Sequence, residues 1–311
     1  MLIAVAADKG APGVTTTAVA LAAVWPRAVL LAECDPAGGD LVYRLPSESG
    51  DRLDPRRGLL SLAVAARRDL QPAQLWAHAQ KLRGGLDVLL GVTTAEQGAG
   101  LEPLWGPVGS VLAGLPQADV IADCGRLGAD GPYYDLLACA AAVVLVTRPT
   151  LGEVVRLRDR AQAVSVGVHR RTGRGTRLGV LVVADHRVFS RALAEVGQVL
   201  GRDSAASVLG GIAFEARSAE LLRGEWGGRL DKSLLIRTAR DVAGQLAGRP
   251  GVAAASARGE APARRPARGP APRPAPGPAR RAGPRPARHA AGRAGPAEPL
   301  ADLPAAEPGG W

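Results

Sequence analysis

Residues 8–17 read Asp-Lys-Gly-Ala-Pro-Gly-Val-Thr-Thr-Thr and follow the apolar run Leu2 to Ala7. Glycines at 10 and 13 allow the backbone to curl and turn its N–H groups inward. A helix starting at Val14 offers unpaired amides and the positive end of its dipole to the same spot. Together these make an anion site, with phosphate the best-suited guest. Thr15 stands where such loops place a hydroxyl for Mg²⁺, and Thr16 follows it. Against the general pattern G-x-x-x-x-G-K-[ST] the segment departs twice, with Asp8 for the first Gly and Val14 for the Lys. Taken alone, it also fits an ordinary strand–turn–helix joint.

Two further segments end in acids. Arg27 to Cys34 is a buried-strand run that leads into Asp35-Pro36-Ala37-Gly38-Gly39-Asp40. Asp119 to Asp123 is another, followed by Cys124-Gly125. A carboxylate at the C-terminal end of a parallel strand is placed to hold a water of a Mg²⁺ ion. Three strand ends, at 7–9, 33–35 and 123–125, are thus expected to converge on one crevice outside the carboxyl edge of a sheet.

These segments resemble the ParA/MinD group of P-loop ATPases, whose deviant loop reads K-G-G-x-G-K-[ST]-[ST]. Lys9, Gly10, Ala11, Pro12, Gly13, Val14, Thr15 and Thr16 align with it without gaps. Glu33 to Gly38 resembles the D-x-D-P-Q-G stretch of that group. Ala141 to Pro149, Leu178 to Asp185 and Val208 to Phe214 resemble its later strands, with Ala213 where Pro is usual. The resemblance covers roughly residues 1–247. It implies catalytic roles for Asp35, holding the attacking water, and for Lys9, reaching across a dimer to the partner's nucleotide. It implies a nucleotide cradle at Gly10 to Thr16, a contact to adenine at Asp185, and Mg²⁺ near Thr15 and Asp123. ATP and Mg²⁺ are the implied cofactors. The implied assembly is a homodimer that acts on a protein partner of a partitioning, division-site or secretion/pilus system.

Val14 sets this chain apart. The missing ammonium bridges phosphates and offsets transition-state charge, and losing one such donor costs about 3 kcal/mol. The expectation is slow Mg²⁺-dependent ATP hydrolysis or none. Arg126 and Arg148 follow two of the matched strands and are candidates to replace the cation; a solvated loop charge is the alternative for each.

The elements that must position these residues alternate. Apolar runs predict strands over 2–7, 28–34, 86–90, 119–123, 142–147, 178–184 and 208–213. Helices are predicted over 14–25, 59–67, 72–82, 107–114, 150–166, 188–200, 215–223 and 232–247. The fold class is α/β: a mostly parallel sheet with helices on both faces, joined by right-handed crossovers. Residues 45–58 read as an excursion rich in Pro, Gly, Asp and Arg.

Apolar residues make up 47% of the chain and aromatics only 3%, so the core is built from Ala, Val and Leu. From Gly251 onward the sequence is Ala, Pro, Arg and Gly, with 13 of the 25 prolines and ten Arg against four acids. Such a tail cannot bury enough apolar surface to fold and is expected to be disordered. The expected domains are a nucleotide-binding domain over 1–249 and a basic tail over 250–311. The tail carries +6 of the net +10, leaving +4, which does not mark a dedicated duplex-DNA binder. Weak non-specific contact of the tail with DNA or an acidic surface is a further expectation. Seven arginines between Glu153 and Arg177 read either as a binding surface or as a solvated helix face. The last helix reads as a closing helix packed on the sheet, or as a membrane-surface helix. Three cysteines without C-x-x-C spacing argue against a disulfide framework or zinc site and favour a reducing cytoplasm. No targeting segment or run of about 18 apolar residues is visible. Two functions stay open: an ATP-dependent dimerisation switch that positions a partner, and a pseudo-ATPase scaffold that keeps the fold without turnover.

Overall fold

A computed structural model describes residues 1–248, apart from 11, 68–70, 203 and 223–229. The basic tail lies outside the described residues. One eight-stranded sheet organises the chain. Its strands are β1 (Leu2–Ala7), β2 (Val29–Glu33), β3 (Gln80–Lys81), β4 (Asp87–Leu89), β5 (Asp119–Arg126), β6 (Ala142–Thr147), β7 (Leu178–Ala184) and β8 (Ala206–Ala213). Their spatial order is β3-β4-β2-β5-β1-β6-β7-β8. Every pairing is parallel except β3 with β4.

Alternation along the strands feeds two cores. On β1, Leu2, Ala4 and Ala6 face one layer, while Ile3, Val5 and Ala7 face the other. The first layer is a row of helices: α3 (Leu59–Ala66), α5 (Trp105–Ala113), α6 (Tyr134–Cys139), α7 (Leu151–Thr172) and α8 (Phe189–Leu200). The second is built on α1 (Val14–Ala23) and α10 (Leu234–Gly248), with α9 (Ala216–Leu222) against α1. The small residues of α1 are buried nearly all round, as expected of a helix wedged between a sheet and its neighbours. Short helices α2 (Leu41–Arg44) and α4 (Ala95–Ala99) complete the set.

The predicted helix over 72–82 is corrected. Residues 72–77 form a 3₁₀ turn, and Gln80 and Lys81 then pair antiparallel with Val88 and Asp87. Gly84 and Gly85 turn this hairpin, and Gln80 is held by the carbonyls of Asp54 and Arg57. Helix α7 runs on to Thr172, so Arg170 and Arg171 belong to it and not to a loop. Arg171 pairs with Asp130 at 2.7 Å and Asp135 at 2.6 Å, and Arg160 pairs with Asp8 at 2.7 Å. These two arginines are therefore internal ties. Leu235, Ile236, Ala239, Val242 and Leu246 of α10 are buried in the second core, which rules out a free membrane-surface role for that helix. Among the described residues, no helix is long and apolar enough to cross a membrane. At the β8 edge the register slips between Val180 and Leu181, leaving Leu209 as an extra residue in the strand.

Candidate functional site

Register brings the acids together. Glu33 on β2 lies opposite Asp123 on β5, and Val5 on β1 lies opposite Asp123 on the other side. One step further along, the amide of Cys34 donates to the Asp123 carbonyl at 2.7 Å. The amide of Leu127 donates to the Ala7 carbonyl at 2.8 Å. The segments leaving β1, β2 and β5 thus open into one crevice.

The loop after β1 delivers α1 to that crevice. Gly13 occupies the N-cap with φ 101°, a left-handed conformation that favours glycine, and no side chain caps the helix. Helix geometry leaves the amides of Val14, Thr15 and Thr16 without an intrahelical acceptor; the first helical bond runs from the Thr17 amide to the Gly13 carbonyl. A Cβ built on Gly13 meets nothing within 4 Å, so the space before these amides is open.

A cleft of about 260 Å³ is lined by Gly10, Gly13, Val14, Thr15, Thr16, Asp35, Asp123, Gly125 and Arg126, with Gly38 to Asp40 and Arg44. Among the expected site residues, the cleft collects Gly10, Gly13, Val14, Thr15, Thr16, Asp35 and Asp123. Pro12 is buried, and Ala11 lies outside the described residues. Lys9 is exposed and borders a separate small hollow with Asp8, Glu153 and Arg156. Asp185 sits beyond β7, accepts from the Arg187 amide at 2.9 Å and is not part of the cleft lining. Val14 is only 8% exposed and belongs to the second core.

The electrostatics are lopsided. Burial above all pushes Asp123 up to about 6, with repulsion from Asp35 adding to it and bonds from Thr15 and the Gly125 amide opposing it. Burial likewise raises Asp35, against the Ala37 amide and the charge of Arg126. It raises Glu33 too, although that side chain accepts from the Leu41 amide at 3.1 Å and the Gly91 amide at 2.8 Å. Three carboxyl groups share one region with few donors. Behind them, burial drives the Cys124 thiol up to about 12 and raises Cys34 as well, which makes both inert.

Sequence reasoning missed Glu33, Gly125 and the Asp8–Arg160 tie. Gly125 has φ 55° and its Cα presses on the Asp35 carboxylate, so a Cβ there would overlap it. Arg160 also donates to the Gly128 carbonyl at 2.5 Å, joining the loop start to the turn after β5. A glutamate ending an otherwise apolar strand, at the head of the Glu33 to Gly38 stretch, was the signal for Glu33; the other two depend on contacts distant in sequence.

These residues fit a magnesium–nucleotide. Uncapped amides face open space, and a hydroxyl and a buried carboxylate stand side by side. Among the described residues no group of three His, Cys, Asp or Glu side chains forms a metal cage.

No family model matches the chain, and no curated protein does. Solved structures do. A ParA family ATPase from Chlorobium tepidum TLS matches at TM-score 0.58 and 21% identity, over 78% of this chain and 98% of its own. The cell division ATPase MinD of Pyrococcus furiosus matches at TM-score 0.60 and 17% identity, over 79% and 98%. The septum site-determining protein MinD of Pyrococcus horikoshii OT3, solved with Mg-ADP, matches at TM-score 0.58 and 18% identity, over 79% and 97%. On this likeness, the chain has the fold of the ParA and MinD ATPases.

Proposed function

We propose that this protein is an ATP- and Mg²⁺-binding dimerisation switch that positions a partner of a partitioning, division or secretion/pilus system, with slow hydrolysis. The observation that carries the reading is the joining of an uncapped helix N-terminus with Thr15, Asp35 and Asp123 in one open cleft. The amides of Val14 to Thr16 bind phosphate, Thr15 and Asp123 hold the ion, and Asp35 orients water. When bound, Mg²⁺ neutralises charge on the phosphates. Asp185 contacts adenine. Lys9, exposed and bordering a hollow other than the cleft, acts on a partner protomer's nucleotide. Residues 1–249 form the nucleotide-binding domain, and 250–311 an arm that contacts acidic surfaces. The MinD of Pyrococcus horikoshii was solved with Mg-ADP, which supports the cofactor assignment.

The buried, apolar Val14 favours a second reading, a scaffold that keeps the fold without turnover. One titration separates the two: a labelled, non-hydrolysable ATP analogue with Mg²⁺, followed by anisotropy and sedimentation, beside phosphate release from ATP. Binding with dimerisation, and release slower than about 1 per second, the low end of enzyme turnover, supports the switch. No binding at millimolar analogue supports the scaffold.

A further inference from the structure

The cleft offers phosphate-binding amides but no cation from its loop. Val14 is apolar and packed in the core, and Lys9 borders another hollow. Two arginines line the cleft. Arg44 is engaged by Asp40. Arg126 is the last residue of β5 and is exposed. Among the described residues its side chain makes no hydrogen bond or ion pair, and the group that feels its charge is the Asp35 carboxylate. Its root is fixed, because Gly125 is pressed against Asp35 on one side and Leu127 is bonded to Ala7 on the other. Arg148, the other arginine that follows a matched strand, is committed elsewhere: its guanidinium lies 5.2 Å over the Phe214 ring and its amide donates to Glu153.

We infer that Arg126 is the phosphate-gripping cation of this site, supplied from the end of β5 in place of a loop lysine. This rests on the nucleotide reading above. A guanidinium is well suited to the role, because its planar fork meets phosphate oxygens two at a time and stays charged at any working pH. It lets position 14 of the loop go without a charge, with Val14 packed in the core. In the free protein its charge steadies Asp35; a bound phosphate competes for it.

The test uses the full chain, Mg²⁺ and a fluorescent non-hydrolysable ATP analogue, with Kd read by anisotropy at several salt concentrations. Thermal melts confirm folding, which an exposed side chain does not threaten. Arg126→Ala is expected to weaken binding about 10- to 100-fold, the scale of a charge-assisted hydrogen bond. It should also flatten the salt dependence. Arg126→Lys, a point charge without the fork, should fall between. Arg148→Ala should stay within about twofold of wild type, the span of ordinary surface substitutions. Unchanged affinity in Arg126→Ala, or an equal loss in Arg148→Ala, overturns the assignment while leaving nucleotide binding standing. No binding by the wild type overturns both.

Discussion

Asp119 opens β5 and Asp123 stands just past its middle, and one helix answers both. Thr15, in the first turn of α1, bonds Asp123; Trp25, just past its last turn, donates to Asp119 at 2.8 Å. The helix dipole alone would lower Asp123 at the positive end and raise Asp119 at the negative end. The opposite holds. Asp119 is desolvated, yet Trp25, two nitrogens of Arg27 at 2.9 and 2.6 Å, and the Met1 amine at 3.3 Å bring it below the usual carboxylate range. Asp123 has a hydroxyl and one amide, and burial wins. A dipole contributes up to about 1 kcal/mol, so counted donors outweigh it. At the base of the sheet the donors outweigh desolvation of Asp119, whereas at the top burial outweighs the donors around Asp123.

The largest break in this comparison is Asp119→Ala. It strands the Trp25 indole N–H without an acceptor, leaves Arg27 only the Ala247 carbonyl, and should cost about 3 kcal/mol in chemical denaturation. Asp123→Asn should do the reverse. Because its folded pKa is raised, the carboxyl costs no stability below about 4, a growing amount up to about 6, and its full cost above that. The substitution should therefore stabilise the Mg²⁺-free protein at pH 7.5 by up to about 3 kcal/mol, with the gain fading as pH falls. For Asp119 the sign is inverted: its contribution is present above about 4 and is lost as pH drops through its depressed value. Melts of Asp123→Asn and Asp119→Asn across pH 3 to 8, each set against wild type, should give stability differences whose slopes have opposite sign.

Part of this contrast was legible in the sequence. Both acids stand at the ends of a continuous apolar run, and strands such as Leu2–Ala7 and Ala142–Thr147 are unmistakable because both faces are buried. Helices of four to six residues, such as Leu41–Arg44 and Tyr134–Cys139, were not, since they are too short for a period to show. In the site, loop amides and terminal acids announce themselves by type and spacing. The company they keep does not. That Glu33 stands level with Asp123, or that Gly125 touches Asp35, depends on register between distant segments.

Two smaller effects sharpen the picture of the top. Gly125→Ala forces a left-handed alanine into the Asp35 carboxylate and should cost about 1 to 2 kcal/mol, together with a weaker nucleotide affinity in the same titration. Arg160→Ala frees Asp8 and should cost about 1 kcal/mol or less, since the pair is partly exposed. Its clearer mark should be faster amide exchange at Lys9 and Gly10, with no change at the Asp119 end.

Leu209 has a consequence for crowded solution. Strand β8 pairs only with β7 among the described residues, so its outer flank presents backbone groups of the kind that recruit foreign strands. The extra residue spoils the repeat halfway along, so an incoming ribbon could zip only a few rungs before losing step. The irregularity thus shortens the run of this edge that a foreign strand could pair with.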